Sequence, residues 1–139
     1  KISVHNERER MKKSPYQFLY FVLTHDRQIL YDRIEKRIDQ MMEEGLLAEV
    51  DKLLKMGYDP ELVSMQGLGY KEFVPYFKGE CTLDESVYVL KRDTRHFAKR
   101  QLTWFRRERD VRWLDKNKIA SEAEILNEIL ETVKKEWSL

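Results

Sequence analysis

Apolar residues along this 139-residue chain fall into two kinds of pattern. One is continuous. YQFLYFVL, residues 16–23, has Gln17 as its only polar member, and such a run predicts a strand covered on both faces, as in a parallel sheet. The other is helical. Leu30, Ile34, Ile38 and Met41 recur at three- and four-residue spacing after Thr24, which suits an N-cap, and the run stops at Gly45. Leu46 to Met56 predicts a second helix, ended by Gly57. Residues 59–70, DPELVSMQGLGY, read as a loop with one short turn, and KEFVPYF as a short helix stopped by Gly79. Thr82-Leu-Asp-Glu85 has capping-box spacing and opens the longest predicted helix, 83–108. Ser121-Glu-Ala-Glu124 precedes a last helix with Ile125, Leu126, Ile129, Leu130 and Val133 on one side.

A lone buried strand cannot satisfy its ladder hydrogen bonds. VRWL at 111–114 is a weak candidate for a second strand. The pattern therefore predicts a mostly α-helical segment with one buried strand at about 16–23, a possible short strand near 111–114, and sheet partners outside these residues. Residues 1–14 hold only Ile2, Val4 and Met11 as sizeable apolar groups and predict a polar, flexible lead-in. The chain starts without Met and runs straight into apolar sequence, as if an upstream part were missing; residues 15–139 make up the rest of the unit.

Charge narrows the chemistry. Lys and Arg total 26 against 25 Asp and Glu, so a net charge of +1 supplies no bulk attraction to nucleic acid or to an acidic membrane. Any anion site must come from local clustering. The single Cys81 makes no internal disulfide, and three scattered His with one Cys do not assemble a closed zinc site, so no metal ligands are assigned and a reducing cytoplasm fits best. No apolar run is long enough to span a bilayer, so no membrane partner is expected. His5, His25 and Cys81 lack companions at ligand or triad spacing and read as structural; Asp26 and Asp32 could be proposed as bases, but helix caps and surface acids are commoner.

The clustering is in AKRQLTWFRRERD, residues 98–110, where Lys99, Arg100, Arg106, Arg107 and Arg109 surround Leu102, Trp104 and Phe105. At ~100° per residue, Leu83, Val87, Leu90, Thr94, Phe97, Gln101, Trp104 and Phe105 share one side of the long helix, the expected core side. Arg92, Arg95, His96, Lys99, Thr103 and Arg106 fall opposite. Charge runs are most often solvated faces. No acid interrupts this stripe between Arg95 and Arg106, however, and like charges at helical spacing repel by a few tenths of a kcal/mol per pair. A phosphate backbone would relieve that strain. Gln101, on the apolar side, is expected to brace a neighbouring loop, because burying a bare amide costs about 1–3 kcal/mol.

Two smaller patterns accompany the stripe. Arg33 and Arg37 stand four apart, as forked contacts to phosphate require, although pairing with Glu35 or Asp39 is the ordinary alternative. In QGLGYK, residues 66–71, Gly67 and Gly69 let backbone approach a ligand, with Tyr70 for stacking and Lys71 for charge; glycines between helices more often simply make turns.

Together, LYDRIEKRIDQMMEEGLLAEVDKLLKMG, QGLGYKE and KRDTRHFAKRQLTWFRRE closely resemble the C-terminal part of the bacterial tRNA dimethylallyltransferase family, also called tRNA isopentenyltransferases, over about residues 16–115. The resemblance implies an α/β, P-loop NTPase-like core with a helical insertion. It also implies transfer of a dimethylallyl group from dimethylallyl diphosphate to the exocyclic N6 amine of the adenine beside the anticodon. The partners implied are the tRNA anticodon stem-loop, dimethylallyl diphosphate and the missing N-terminal half of the enzyme, with Mg2+ accompanying the diphosphate. By matching positions, Arg37 would lie at the diphosphate in a catalytic role, beside Arg33. Gln66, Gly67, Leu68, Gly69, Tyr70 and Lys71 would touch tRNA, Lys71 standing where the family commonly has arginine. Lys99, Arg100, Gln101, Thr103, Trp104 and Arg106 would do the same, extended by Arg92 and Arg95 of the stripe. The family's G-x-x-x-x-G-K-[ST] phosphate loop does not occur in these residues. A freestanding helical RNA-binding module, or a helical interaction domain without nucleic-acid role, are the competing readings.

Overall fold

The computed structural model describes residues 15–108, 110–119 and 121–138. The lead-in expected at 1–14, and Arg109, lie outside the described residues. Strand β1 (Tyr20–Thr24) is followed by α1 (Arg27–Glu43) and α2 (Leu46–Lys55). A 3-10 turn at Val63–Gln66 and another at Lys71–Phe73 lead into the single-turn helix α3 (Val74–Phe77). Then come the long helix α4 (Leu83–Phe105), strand β2 (Val111–Asp115) and α5 (Glu122–Trp137).

The strand expected to lack a partner has one. β1 and β2 pair in parallel, with Tyr20 opposite Val111 and Thr24 opposite Asp115, so the weak VRWL signal is a strand and the helices form the crossover. β1 also starts later than the apolar run, for Tyr16 and Phe18 are exposed. Nor are both faces covered. Val22 registers with Trp113 and Leu23 with Leu114, so each face carries one buried side chain, Val22 or Leu114, beside one left open: Trp113, 37% exposed, or Leu23, 57% exposed. An apolar run reports the capacity for burial, whereas the neighbours present decide how much is used.

Local signals set most boundaries. The N-cap of α1 is Asp26 rather than Thr24, its carboxylate accepting from the N–H of Gln28 at 2.8 Å and of Ile29 at 3.4 Å. Thr24 is committed to the sheet end, where its carbonyl accepts the Lys116 N–H at 2.9 Å. Gly45 separates α1 from α2 at φ +105°, with nothing within 4 Å of an added Cβ, so conformation rather than space demands glycine. Both halves of the Thr82–Glu85 capping box form, and the Ser121 hydroxyl accepts from the Glu124 N–H at 3.2 Å.

The helical core consists of Ile38, Leu46, Val50, Phe73 and Leu90, flanked by Ile34, Met41, Leu54, Phe77 and Val87. α4 does not keep one face against it. At ~100° per residue, the covered positions Leu83, Ser86, Val87 and Leu90 centre about 80° away from the covered positions Ala98, Leu102 and Phe105 further along. The first half packs on the Phe73 cluster and the second meets the sheet, where Phe105 lies edge-on to Tyr20 at 6.1 Å between centroids. Phe97, Gln101 and Trp104 consequently turn outward, and the buried, loop-bracing role expected of Gln101 is corrected: it is exposed. Similarly, only Ile125 of the last helix is fully buried, while Leu126 and Leu130 stay exposed.

Tyr70 ties the 66–71 turn to this core. Its ring packs on the Phe73 cluster and its hydroxyl donates to the Glu49 carboxylate of α2. That hydrogen bond, then burial and the Glu49 charge, raise the phenol above its ordinary value of 10.0. A raised phenol favours the protonated form in the fold, so its stabilisation is complete below pH 10 and fades as the pH climbs beyond it. Alkaline denaturation should show this loss in the natural chain, and Tyr70→Phe should remove that portion of the pH dependence. Phe73→Ala, at a site with 0% exposure, should cost about 3–5 kcal/mol in urea unfolding.

Candidate nucleic-acid interface

The outward-turned end of α4 forms a groove of ≈ 500 Å³ lined by His96, Lys99, Arg100, Thr103, Trp104 and Arg107. Trp104 is 49% exposed, and its ring meets Phe105 edge-on at 5.1 Å, which links it through Phe105 to Tyr20 of the sheet. A half-exposed indole thus stands in edge contact with a ring that packs on the sheet. Arg100 lies over the Phe97 ring at 5.8 Å. The Thr103 hydroxyl donates to the Lys99 carbonyl at 3.0 Å, leaving its oxygen free to accept. Among the described residues Lys99, Arg100, Arg106 and Arg107 pair with no carboxylate.

The stripe is not uncompensated along its whole length. Arg92 binds its neighbour Asp93 at 2.7 Å, and Arg95 reaches Glu35 on α1. Projection of one helix shows neither pairing, since it ignores rotamers and a carboxylate 60 residues away. Both pairs are partly exposed and so are weak enough to open for a phosphate. Among the described residues Arg33 and Arg37 pair with neither Glu35, which meets Arg95, nor Asp39, which meets Lys91. Arg33 lines a small cavity of ≈ 180 Å³ with Leu23, Thr24, His25, Leu30, Leu102 and Lys116. Arg37 is exposed one turn further along α1.

In the 66–71 turn, Gln66 Nε2 donates to the Pro60 carbonyl at 2.6 Å, Leu68 is half-buried, and Gly67 has ordinary extended backbone. Gly69 stands at φ +103°, its N–H donating to the buried Glu72 carboxylate at 2.9 Å. Tyr70, expected for stacking, is instead the anchor described above. Lys71 is exposed, its Nζ 3.9 Å from Glu72, and it lines a cavity of ≈ 420 Å³ with Glu72, Cys81, Ser86, Val89 and Asp93. Positions 86, 89, 93, 96, 100, 104 and 107 follow one another three or four apart, so this cavity and the aromatic groove lie along one face of α4. The Arg92 hydrogen bond holds the Asp93 carboxyl below its ordinary range, with lesser help from the nearby His96 and Lys71 charges. Two stretches distant in sequence therefore share a surface.

Sequence reasoning singled out neither Phe97 nor Glu72 for this surface. Phe97 was placed with the core because the helical projection assumed one fixed buried side. Glu72 ends the quoted QGLGYKE, and a carboxylate three residues after a glycine was the available signal. Among the described residues no group of three or more His, Cys, Asp or Glu could hold a metal ion. No helix is long and apolar enough to cross a membrane among the residues described.

Comparison with known proteins agrees with these motifs. The chain is 60% identical over 129 residues to a tRNA dimethylallyltransferase of Lachnoclostridium phytofermentans, a match covering 93% of this chain and 41% of that protein. A tRNA dimethylallyltransferase of Acetivibrio thermocellus is 50% identical over 128 residues, covering 92% and 41%. The crystal structure of a tRNA delta(2)-isopentenylpyrophosphate transferase from Staphylococcus epidermidis superposes with a TM-score of 0.84 at 37% identity, over 96% of this chain and 43% of that one. A full-length tRNA isopentenylpyrophosphate transferase from Bacillus halodurans gives 0.82 at 40% identity, over 94% and 42%. This chain thus spans about two fifths of the length of these relatives. The family model for IPP transferase matches residues 1–108, and the chain belongs to the IPP transferase family.

Proposed function

We propose that the chain forms the tRNA-gripping portion of a tRNA dimethylallyltransferase, with α4 and the 66–71 turn on the anticodon stem-loop and Arg37 facing the prenyl diphosphate. The observation that carries this reading is the groove around the half-exposed Trp104, whose Lys99, Arg100 and Arg107 pair with no carboxylate among the described residues. RNA supplies phosphates for Lys99, Arg100, Arg106 and Arg107, and a splayed base has a π-face for Trp104. The names of the relatives supply the acceptor and the transferred group.

The reaction explains the need for cations at two places. An adenine amine is a weak nucleophile, and the departing diphosphate gains negative charge as its bond to the allylic carbon breaks. A guanidinium fixed at that diphosphate stabilises the transition state more than the ground state. Arg37, beside Arg33 and without a carboxylate partner among the described residues, suits that role. The chain holds no phosphate-cradling G-x-x-x-x-G-K-[ST] loop, so these 139 residues by themselves should bind tRNA without prenylating it. The β1–β2 pairing favours a second reading, a self-contained RNA-binding module, because β1 finds a strand partner within the chain. The span of two fifths of the relatives' length favours the enzyme.

Lys99→Ala and Arg106→Ala should each weaken stem-loop binding and flatten the plot of log affinity against log salt by about 1. An unchanged slope in both would remove the RNA reading. Arg37→Ala, placed in the intact enzyme, should lower prenyl-transfer turnover by about 10²–10³-fold with tRNA affinity nearly unchanged, measured by single-turnover transfer and filter binding.

A further inference from the structure

Among the described residues one buried side-chain oxygen is left without a hydrogen-bond partner, Oε1 of Glu72. Glu72 is 5% exposed, and its other oxygen, Oε2, accepts the Gly69 N–H at 2.9 Å. Lys71 Nζ stops 3.9 Å from Oε1, beyond hydrogen-bonding reach. A buried charged acceptor without a donor is costly, and such groups are normally satisfied. Lys71 and Glu72 both line the ≈ 420 Å³ cavity beside α4, which puts the unfilled acceptor at that cavity's wall.

The rest of the wall defines the ligand. Pro75 and Val89 supply apolar surface, and the Cys81 thiol and Ser86 hydroxyl bond to each other at 3.2 Å. Among the lining side chains three carboxylates, Glu72, Glu85 and Asp93, stand against one cation, Lys71. Hydrogen bonds from Thr82 hold the Glu85 carboxyl below its ordinary range, as the Arg92 contact holds Asp93, so both are charged at neutral pH. Their local partners already engage them: the Thr82 N–H and hydroxyl on Glu85, and Arg92 on Asp93. Glu72 Oε1 is the acceptor that remains.

This wall repels an anion, and a neutral apolar ligand would leave Oε1 unmet. A cation that carries N–H donors on an apolar stem satisfies both the charge and the acceptor. The aromatic groove further along the same face of α4 is cationic, so the two sites select ligands of opposite charge.

We infer that this cavity binds a primary alkylammonium ion, the ammonium donating to Glu72 Oε1 and the stem lying against Pro75 and Val89. A simple monoamine and an aliphatic polyamine share this chemistry. The site goes beyond the RNA reading, with which it shares only Lys71. Cys81 is the single cysteine of the chain and lines the cavity, so its alkylation by iodoacetamide reports occupancy. n-Butylammonium, spermidine and tetramethylammonium, which has the charge but no N–H, are titrated at constant ionic strength while the Gly69 and Glu72 amides are followed by NMR. Butylammonium and spermidine should slow the alkylation and shift both amides. Glu72→Gln keeps an acceptor for the Gly69 N–H but removes the charge, and should weaken the amines at least about tenfold with the melting temperature unchanged. If that variant melts lower, Val89→Phe, which fills the cavity and leaves Glu72 in place, should abolish the amide shifts. Tighter binding of spermidine identifies a polyamine site, and equal affinity a monoamine site. The inference is overturned by a response to tetramethylammonium equal to that of butylammonium, by no response to either amine, by unchanged affinity in Glu72→Gln, or by shifts that persist in Val89→Phe. Protection of Cys81 by an anticodon stem-loop RNA alone also overturns it and gives the cavity to RNA. Failure of the RNA reading is a separate result, full stem-loop affinity in Trp104→Ala, and leaves the amine titration unaffected.

Discussion

The rotation of α4 about its own axis is the constraint on which the rest depends. Ser86 and Leu90 are held against the Phe73 cluster, while Ala98 and Phe105 are drawn to the sheet. One rigid helix meets two partners set at different angles around it, so its buried arc drifts along its length. The drift puts Phe97 and Trp104 among His96, Lys99, Arg100 and Arg107. A helix with a single fixed buried side would have hidden both rings and left a purely ionic surface.

Local arrangement, not total charge, then decides what that surface attracts. The chain is nearly neutral, yet its acids are spent unevenly. Glu35, Asp39 and Asp93 meet cations of the first half of α4, while those of the last turns meet none among the described residues. Potential is therefore concentrated at one end of the helix, where the strand ends and the first turn of α1 also lie. Exposed ion pairs contribute little to stability, so this allocation affects binding more than folding.

The 66–71 turn, proposed to touch RNA, shares one anchor with the core. Glu72 accepts the Gly69 N–H and Tyr70 is tied to Glu49, so the backbone that presents Lys71 is held from both sides. Such a turn can present Lys71 without ordering itself at the moment of binding, which spares conformational entropy.

Order along the chain was legible in the residues. Gly45, the Thr82–Glu85 box and the three- and four-residue spacing of Leu30 to Met41 act over one or two turns, and their elements appear where those signals lie. The cationic cluster and the family motifs were equally legible, because they are contiguous. Only the tertiary structure decided that β1 finds its partner 91 positions on at Tyr20↔Val111, that Arg95 meets Glu35, and that Trp104 faces outward while Gln101 is not buried. Each of these depends on groups far apart in sequence coming together. A helical period specifies angles about one axis but carries no information about which neighbour will stand at which angle.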